Sequence, residues 1–302
     1  LAIIDLTENG KQPMHDQTGR YTITFNGEIY NYRELRQELA HRYSFRTESD
    51  TEVLLASYAI WGMGMFERLR GIFAFGIWDR DTQTLVLARD HMGVKPLYYR
   101  VHDGVLTFSS ELSPLIATMT SPTLSYESVA FYLAMEYVPS PRTLIDGIEK
   151  LPPGHALTWK KGVISIASYL PSPQTEGRVS DTTLYETIDG AVKRQLVSDR
   201  PVGAYLSGGF DSSIVVHHMT KYTPHTRTYT VDFEAVKGEE EEAQKFNMDA
   251  RLAEKTARVF GTEHKTLTIG LDAVRTHLES ILRGVSEPIA NSTSVTQYLL
   301  SD

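Results

Sequence analysis

The chain has 302 residues, 41% hydrophobic and 23% charged, with a net charge of −8. That length suits two domains, each able to bury a core, and the absence of a basic tract argues against a nucleic-acid partner. There is no cysteine, so disulfides and thiolate metal sites are excluded within this sequence, and no apolar run reaches the ~18–20 residues of a membrane span.

The first half is rich in short strands. "LAIIDL" (1–6), "RYTITFNGEIY" (20–30), "IFAFGIWD" (72–79), "TLVLARD" (84–90), "PLYYRVHDGVLTFSS" (96–110) and "HALTWKKGVISIASYL" (155–170) are β-branched and aromatic. Asp103-Gly104, set between apolar runs, signals a tight hairpin. Two helices lie among the strands. One covers "NYRELRQELAHRY" (31–43), with Leu35 and Leu39 on one face. The other covers "DTEVLLASYAIWG" (50–62), capped by Asp50 and ended near Gly62. This half reads as α+β with mostly antiparallel sheets.

"LPSPQTEGRVSD" (170–181) is polar and rich in Pro and Gly, and reads as a linker. After it, strands alternate with helices. Helices are expected at 181–196, 212–222 and 249–261, and strands at 202–206, 226–233 and 263–269. That alternation predicts a parallel sheet with helices on both faces. The charge run "GEEEEAQK" (238–245) reads as a solvated segment. "TSVTQYLLSD" reads as a helix cut mid-course and Leu1 is not a methionine, so the chain is expected to be an internal fragment.

The strand "VGAYL" runs into "SGGFDSS" (207–213), which opens a helix. A helix N-terminus offers unpaired N–H groups and a partial positive charge, and suits an anion. Gly208 and Gly209 let the backbone approach that anion, and Ser207, Ser212 and Ser213 bring hydroxyl donors. Asp211 would repel phosphate unless Mg²⁺ bridges the two. No lysine is present, so this is not the phosphoryl-transfer loop G-x-x-x-x-G-K-[ST]. Gripping a leaving pyrophosphate during adenylation suits the residues better.

Ser207-Gly208-Gly209-Phe210-Asp211-Ser212-Ser213 resembles the SGGxDSS loop of the ATP-pyrophosphatase superfamily, the asparagine synthetases in particular. The resemblance extends through "SDRPVGAYLSGGFDSS" (198–213), "TYTVDF" (228–233) and "EPIANSTSVTQYLLS" (287–301). It implies ATP and Mg²⁺. The nucleotide would be held by Leu206, the seven loop residues and Val231, with Asp211 meeting Mg²⁺ through pyrophosphate. Phe210 stands where the family commonly has leucine. Asp249 and Glu287 match acidic positions of the family.

The first half resembles the glutamine amidotransferase domain whose nucleophile is an N-terminal cysteine. The matching stretches are "LAIIDL", "FNGEIYNYRELR" (25–36), "ESDTEVLL" (48–55), "LRGIFAFGIWD" (69–79), "ARDHMGVKPLYY" (88–99), "FSSEL" (108–112) and "YVPSPRTLIDGIEKLPPGH" (137–155). Amide hydrolysis needs an oxyanion hole. Asn26 and the Gly27 N–H fit that role, Gly27 also admitting substrate closely. By the resemblance, glutamine is bound by Leu1, Ile3, Ile4, Asn26, Gly27, Glu28 and Asp50, with Glu28 and Asp50 taking its α-amino group. The nucleophilic cysteine would precede Leu1. Arg89, Asp90 and Lys95 read as a turn held by charge-assisted bonds. His217 and His218, adjacent on a helix, read as a poor metal pair. Trp61, Trp78 and Trp159 read as packing.

The expected fold is an incomplete αββα sandwich of the N-terminal-nucleophile hydrolase type over 1–170, a linker at 171–181, and a truncated parallel α/β nucleotide domain of the PP-loop, HUP-like type over 182–302. The expected reaction is glutamine-dependent, ATP-consuming amidation of a carboxylate, with aspartate the default acceptor. Two alternatives stand beside it. One is a relative acting on another carboxylate, as β-lactam-forming or peptide and cell-surface synthetases do. The other is a non-catalytic nucleotide-binding scaffold. A cytoplasmic protein, as a homodimer, with small-molecule substrates and no nucleic-acid or membrane partner, completes the expectation.

Overall fold

The computed structural model describes residues 3–171, 180–235, 247–288 and 293–301. The chain divides into two compact units, Leu1–Thr175 and Glu176–Asp302. The polar stretch expected as a linker and the charge run at 238–245 lie mostly or wholly outside the described residues.

In the first unit the elements run β1 (Met14–His15), β2 (Tyr21–Ile29), α1 (Tyr32–Leu39), α2 (Asp50–Trp61), β3 (Gly71–Asp79), β4 (Thr84–Arg89), β5 (Tyr98–His102), β6 (Val105–Ser109), α3 (Leu112–Ile116), α4 (Tyr126–Met135), β7 (Glu149–Lys150), β8 (His155–Lys160) and β9 (Val163–Ser168). Six strands form one sheet in the order β1-β2-β3-β4-β8-β9, and three form a second, β6-β5-β7. Every pairing in both is antiparallel.

Strand periodicity puts alternate residues of β3 on opposite faces. Ala74 packs with Leu87, Leu97, Tyr99, Leu151 and Leu157 between the two sheets. Phe73 and Phe75 take the other face, where Phe75 stacks on Phe66 after α2. Beyond the second sheet, Leu112 and Leu115 of α3 pack on Tyr98 and Ile148. The order is helix, sheet, sheet, helix, the expected αββα sandwich. Phe73, Phe75, Ile77 and Leu87 are fully buried, each worth on the order of 1.5–3 kcal/mol of transfer free energy.

Several local expectations are corrected. "LAIIDL" is not a strand where it is described: Asp5 has φ 56°, and residues 3–7 are bends and irregular backbone. The cap of α2 is Ser49, whose hydroxyl accepts the Thr51 N–H, so Asp50 is the first helical residue and is free for other work. The first helix stops at Leu39. "HALTWKKGVISIASYL" is a hairpin of β8 and β9, turning at Lys161-Gly162 with φ 52° and 83°. The Asp103-Gly104 hairpin stands as expected, with φ 48° and 75°.

The second unit runs α5 (Asp181–Gln195), β10 (Gly203–Tyr205), α6 (Phe210–Thr220), β11 (Arg227–Phe233), α7 (Met248–Phe260), β12 (Glu263–Ile269), α8 (Leu271–Gly284) and α9 (Thr293–Ser301). The sheet is parallel, in the order β10-β11-β12. Leu206, Val216, Ala253 and Ala257 form its core, joining the end of β10 to α6 and α7. The small Ala253 and Ala257, one turn apart, let α7 lie close.

Candidate active sites

In the first unit a cavity of about 740 Å³ is lined by Ile3, Ile4, Asn26, Gly27, Glu28 and Asp50, together with Gln12, Lys11 and Glu111. The first six are the residues singled out in the sequence for glutamine; the seventh, Leu1, lies outside the described residues. Ile3 and Ile4 reach the wall because Asp5 folds the chain back. Its carboxylate accepts the Thr7 N–H at 3.1 Å, the Thr7 hydroxyl at 2.6 Å and the Glu48 N–H at 3.1 Å. The Thr7 hydroxyl holds the Asp5 carboxyl below its ordinary value, against the effect of burial.

The donors of β2 follow from the ladder. Tyr30, just past β2, donates its N–H to Arg70 O at 2.8 Å, so even-numbered residues pair with β3 and odd-numbered N–H groups point to the other edge. On that edge β1 pairs with β2 only at Thr22 and Ile23. Beyond it, Phe25 N–H donates to Gln12 Oε1 at 2.5 Å, and Ile29 N–H to Asp50 Oδ2 at 2.9 Å. The Gly27 N–H lies between these two bonds, aimed at the same open edge. The missing side chain of Gly27 is required by β3: a Cβ there would sit 2.1 Å from Ile72 O and 2.7 Å from Phe73 Cα.

Two carboxyls converge on the cavity. Asp50 is 4% exposed, and burial pushes its pKa up to about 7. The Ile29 N–H opposes that shift and the Glu28 carboxylate adds to it. Glu28 is likewise raised by burial, with Lys95 pulling it back. A pair of partly desolvated acids favours an incoming ammonium over a shared excess of negative charge.

Behind β3, Asp90 is 1% exposed. It accepts the N–H groups of Met92, Val94 and Lys95 at 3.0–3.1 Å, and that of Phe73 at 3.3 Å. Arg89 donates to the carbonyls of Gly93, Lys95 and Leu151. Both are the turn-forming residues the sequence suggested, and they brace the strand that backs Gly27.

In the second unit, "SGGFDSS" joins β10 to α6. Gly208 has φ 74°, and a Cβ there would meet Leu252 Cβ at 2.5 Å and Ala253 N at 2.7 Å, so the loop seats directly on α7. Gly209 caps α6 without a side-chain bond, and the first intrahelical bond comes from Ser213 N–H to Gly209 O. The N–H groups of residues 210–212 therefore have no intrahelical partner. Ser207 and Ser212 are engaged in the loop itself. Their hydroxyls bond at 3.0 Å, and Ser212 Oγ also accepts Ser207 N–H and donates to Gly209 O.

Phe210 is 86% exposed, and Leu206 is 1% exposed within the core, so Leu206 could meet a ligand only through its backbone. Leu206 follows Tyr205, which registers with Tyr229. Val231 therefore points to the opposite face of the sheet from Leu206. Asp249 lies in the first turn of α7. His218 bonds Asp189 while His217 packs on Phe260, so the two rings take separate partners. A cavity of about 610 Å³ beside the loop, between α5 and α6, shares only Gly208, Phe210 and Ser213 with the expected nucleotide site.

Residues 1–170 match the family model described as a glutamine amidotransferase domain. The chain belongs to this family. Residues 183–302 match the asparagine synthase model. Among curated relatives, asparagine synthetase [glutamine-hydrolyzing] 1 of Bacillus subtilis is 35% identical over 307 residues, covering 100% of this chain and 47% of the relative. Synthetase 3 of the same organism is 36% identical over 298 residues, covering 92% and 48%. Amidase chry2 of Gibberella zeae is 30% identical over 326 residues, covering 100% and 47%. The chain thus spans about half the length of the relatives it matches.

At the cavity of the first unit, sequence reasoning missed Gln12, which lines it, and Asp5, which shapes the turn beside it. Asp5 carries a readable signal, an acid two residues before a threonine, the pattern of a side chain bonded to its own turn. Gln12 carries none, since its partner lies thirteen residues away. Among the described residues no helix is long and apolar enough to cross a membrane.

Proposed function

We propose that the full-length protein hydrolyses glutamine in its first unit and uses the ammonia to amidate a carboxylate activated by ATP in its second. The observation that carries this reading is the convergence of Asn26, Gly27, Glu28 and Asp50 on one cavity, in a chain that also presents "SGGFDSS" at a strand–helix junction. In the first unit, the Asn26 amide and the Gly27 N–H would hold the developing oxyanion, and Glu28 and Asp50 the α-ammonium group. The nucleophile would come from outside the described residues.

In the second unit, the open N–H groups of residues 210–212 and the Ser213 hydroxyl fit pyrophosphate at the start of α6. The single exposed carboxylate of Asp211 fits Mg²⁺ shared with phosphate oxygens, which would neutralise charge on the leaving group. The carboxylate attacks the α-phosphorus and pyrophosphate leaves. Ammonia then attacks the acyl carbon and AMP leaves with the carboxylate oxygen. Aspartate is the default acceptor because both Bacillus subtilis relatives are named asparagine synthetases. The amidase relative keeps open another acceptor on the same scaffold. A cytoplasmic homodimer belongs to the same proposal.

The test is pyrophosphate release by the full-length protein across a panel of carboxylates, with glutamine or ammonia as nitrogen source. Aspartate-dependent release with asparagine formed supports the reading. Release on another acid and none on aspartate would remove the asparagine assignment.

A further inference from the structure

Gln12 is an exposed residue whose side chain is nevertheless fixed. Its Oε1 accepts the Phe25 N–H at 2.5 Å. Ordering a glutamine side chain costs up to about 1.5–2 kcal/mol, and a backbone N–H at an open sheet edge can be satisfied by water instead. The bond stands where it has a consequence. β1 leaves the edge of β2 uncovered beyond Ile23, and three N–H groups then point outward, those of Phe25, Gly27 and Ile29. Gln12 takes the first and Asp50 the third. Both clamps line the same cavity as the open N–H between them.

Gln12 also lines a second cavity, of about 350 Å³, that lies against the inter-sheet residues Ala74, Leu97 and Phe108 and shares Phe25 and Asn26 with the first. It therefore sits, with Phe25 and Asn26, on the wall common to both spaces.

We infer that Gln12 is a positioning residue of the amide-hydrolysis site: by clamping Phe25 it fixes the edge of β2 so that the Asn26 amide and the Gly27 N–H are aimed at the reacting oxygen. The inference rests on reading this cavity as the glutamine site. Binding of the α-ammonium group belongs to Glu28 and Asp50, so Gln12 acts on turnover and not on affinity. A donor displaced by about 1 Å can cost about 10²-fold, similar to losing it altogether.

The experiment compares Gln12→Met, which keeps the reach and removes the acceptor, with Gln12→Glu, which keeps an acceptor, both in the full-length protein. Gln12→Met is expected to lower the kcat of glutamine hydrolysis by about 10- to 100-fold, with KM for glutamine within about threefold. Gln12→Glu is expected to recover most of that kcat, and ammonia-dependent pyrophosphate release is expected to be unchanged in both. Wild-type kcat in Gln12→Met would overturn the inference. So would a kcat loss that Gln12→Glu does not recover, or an equal loss of the ammonia-dependent reaction. If the wild-type protein forms no glutamate from glutamine, the assignment of the cavity itself fails and takes this inference with it.

Discussion

Asp50 Oδ2 accepts the N–H of Ile29 at 2.9 Å while its carboxyl is raised, by burial first and by Glu28 second, to about 7. The acid that braces β2 is therefore also the one whose charge changes near neutral pH. A cationic α-amino group binds the ionised form. Affinity should then be full above pH 7 and fall as pH drops below it. KM for glutamine is expected to rise about tenfold between pH 8 and pH 6, following one proton on a group of pKa about 7. Asp50→Asn should raise KM and flatten this dependence. A KM that stays constant from pH 6 to pH 8 in the wild type would exclude Asp50 as the titrating partner.

The same shift has a stability consequence of opposite sense. A carboxyl raised in the folded state binds its proton more tightly there than in the unfolded chain. Its favourable contribution is complete below the unfolded value near 4 and is lost as pH rises through about 7. Above that, the ionised Asp50 costs on the order of 4 kcal/mol. Asn keeps an acceptor for Ile29 without the charge. Asp50→Asn is therefore expected to raise the Tm of the first unit at pH 8, to raise it less at pH 5, and to leave it nearly unchanged below pH 4, as read by calorimetry. A lower Tm at pH 8 would show that the ionised carboxylate stabilises the fold.

Gly27→Ala tests which neighbour demands the glycine. A Cβ would lie 2.1 Å from Ile72 O, a backbone atom in the next strand that cannot step aside without opening the ladder. The variant should lose several kcal/mol of stability to denaturant, beyond the usual range for a surface change, together with glutaminase activity. If Gly27 were needed only to admit substrate, the variant would unfold like the wild type and show a raised KM alone.

Much of this architecture is legible in sequence because local signals agree with the fold. The parallel unit reads off its alternating strands and helices, and Asp103-Gly104 announces its hairpin. Other parts depend on contacts that no local pattern carries. Lys161-Gly162 turns the chain through a left-handed lysine, not the Asn or Asp such turns favour. α4 is apolar almost throughout, yet Ser128 is its only buried residue among those described, so it shows no period to detect. α8, with Leu271, Val274, Leu278 and Ile281 spaced along one face, is readable but absent from the expectations. At the site, residue identities were visible, but the framing of Gly27 by Gln12 and Asp50 was not. It depends on where β1 stops, which only the folded sheet reveals.

Asp211 and Ser212 stand side by side in "SGGFDSS" with different predicted effects. Asp211 is exposed and holds no part of the loop together. Asp211→Asn should leave Tm unchanged while raising the Mg²⁺ concentration needed for half-maximal pyrophosphate release by about tenfold, the effect of losing one charge–charge contact worth about 1.4 kcal/mol. Ser212 instead joins Ser207 to Gly209 through its hydroxyl. Ser212→Ala should weaken ATP binding at every Mg²⁺ concentration, because the loop loses its brace and the open N–H groups lose their alignment. Titrating Mg²⁺ at fixed ATP, and ATP at saturating Mg²⁺, separates the two. Identical responses of both variants to Mg²⁺ would show that Asp211 does not meet the ion.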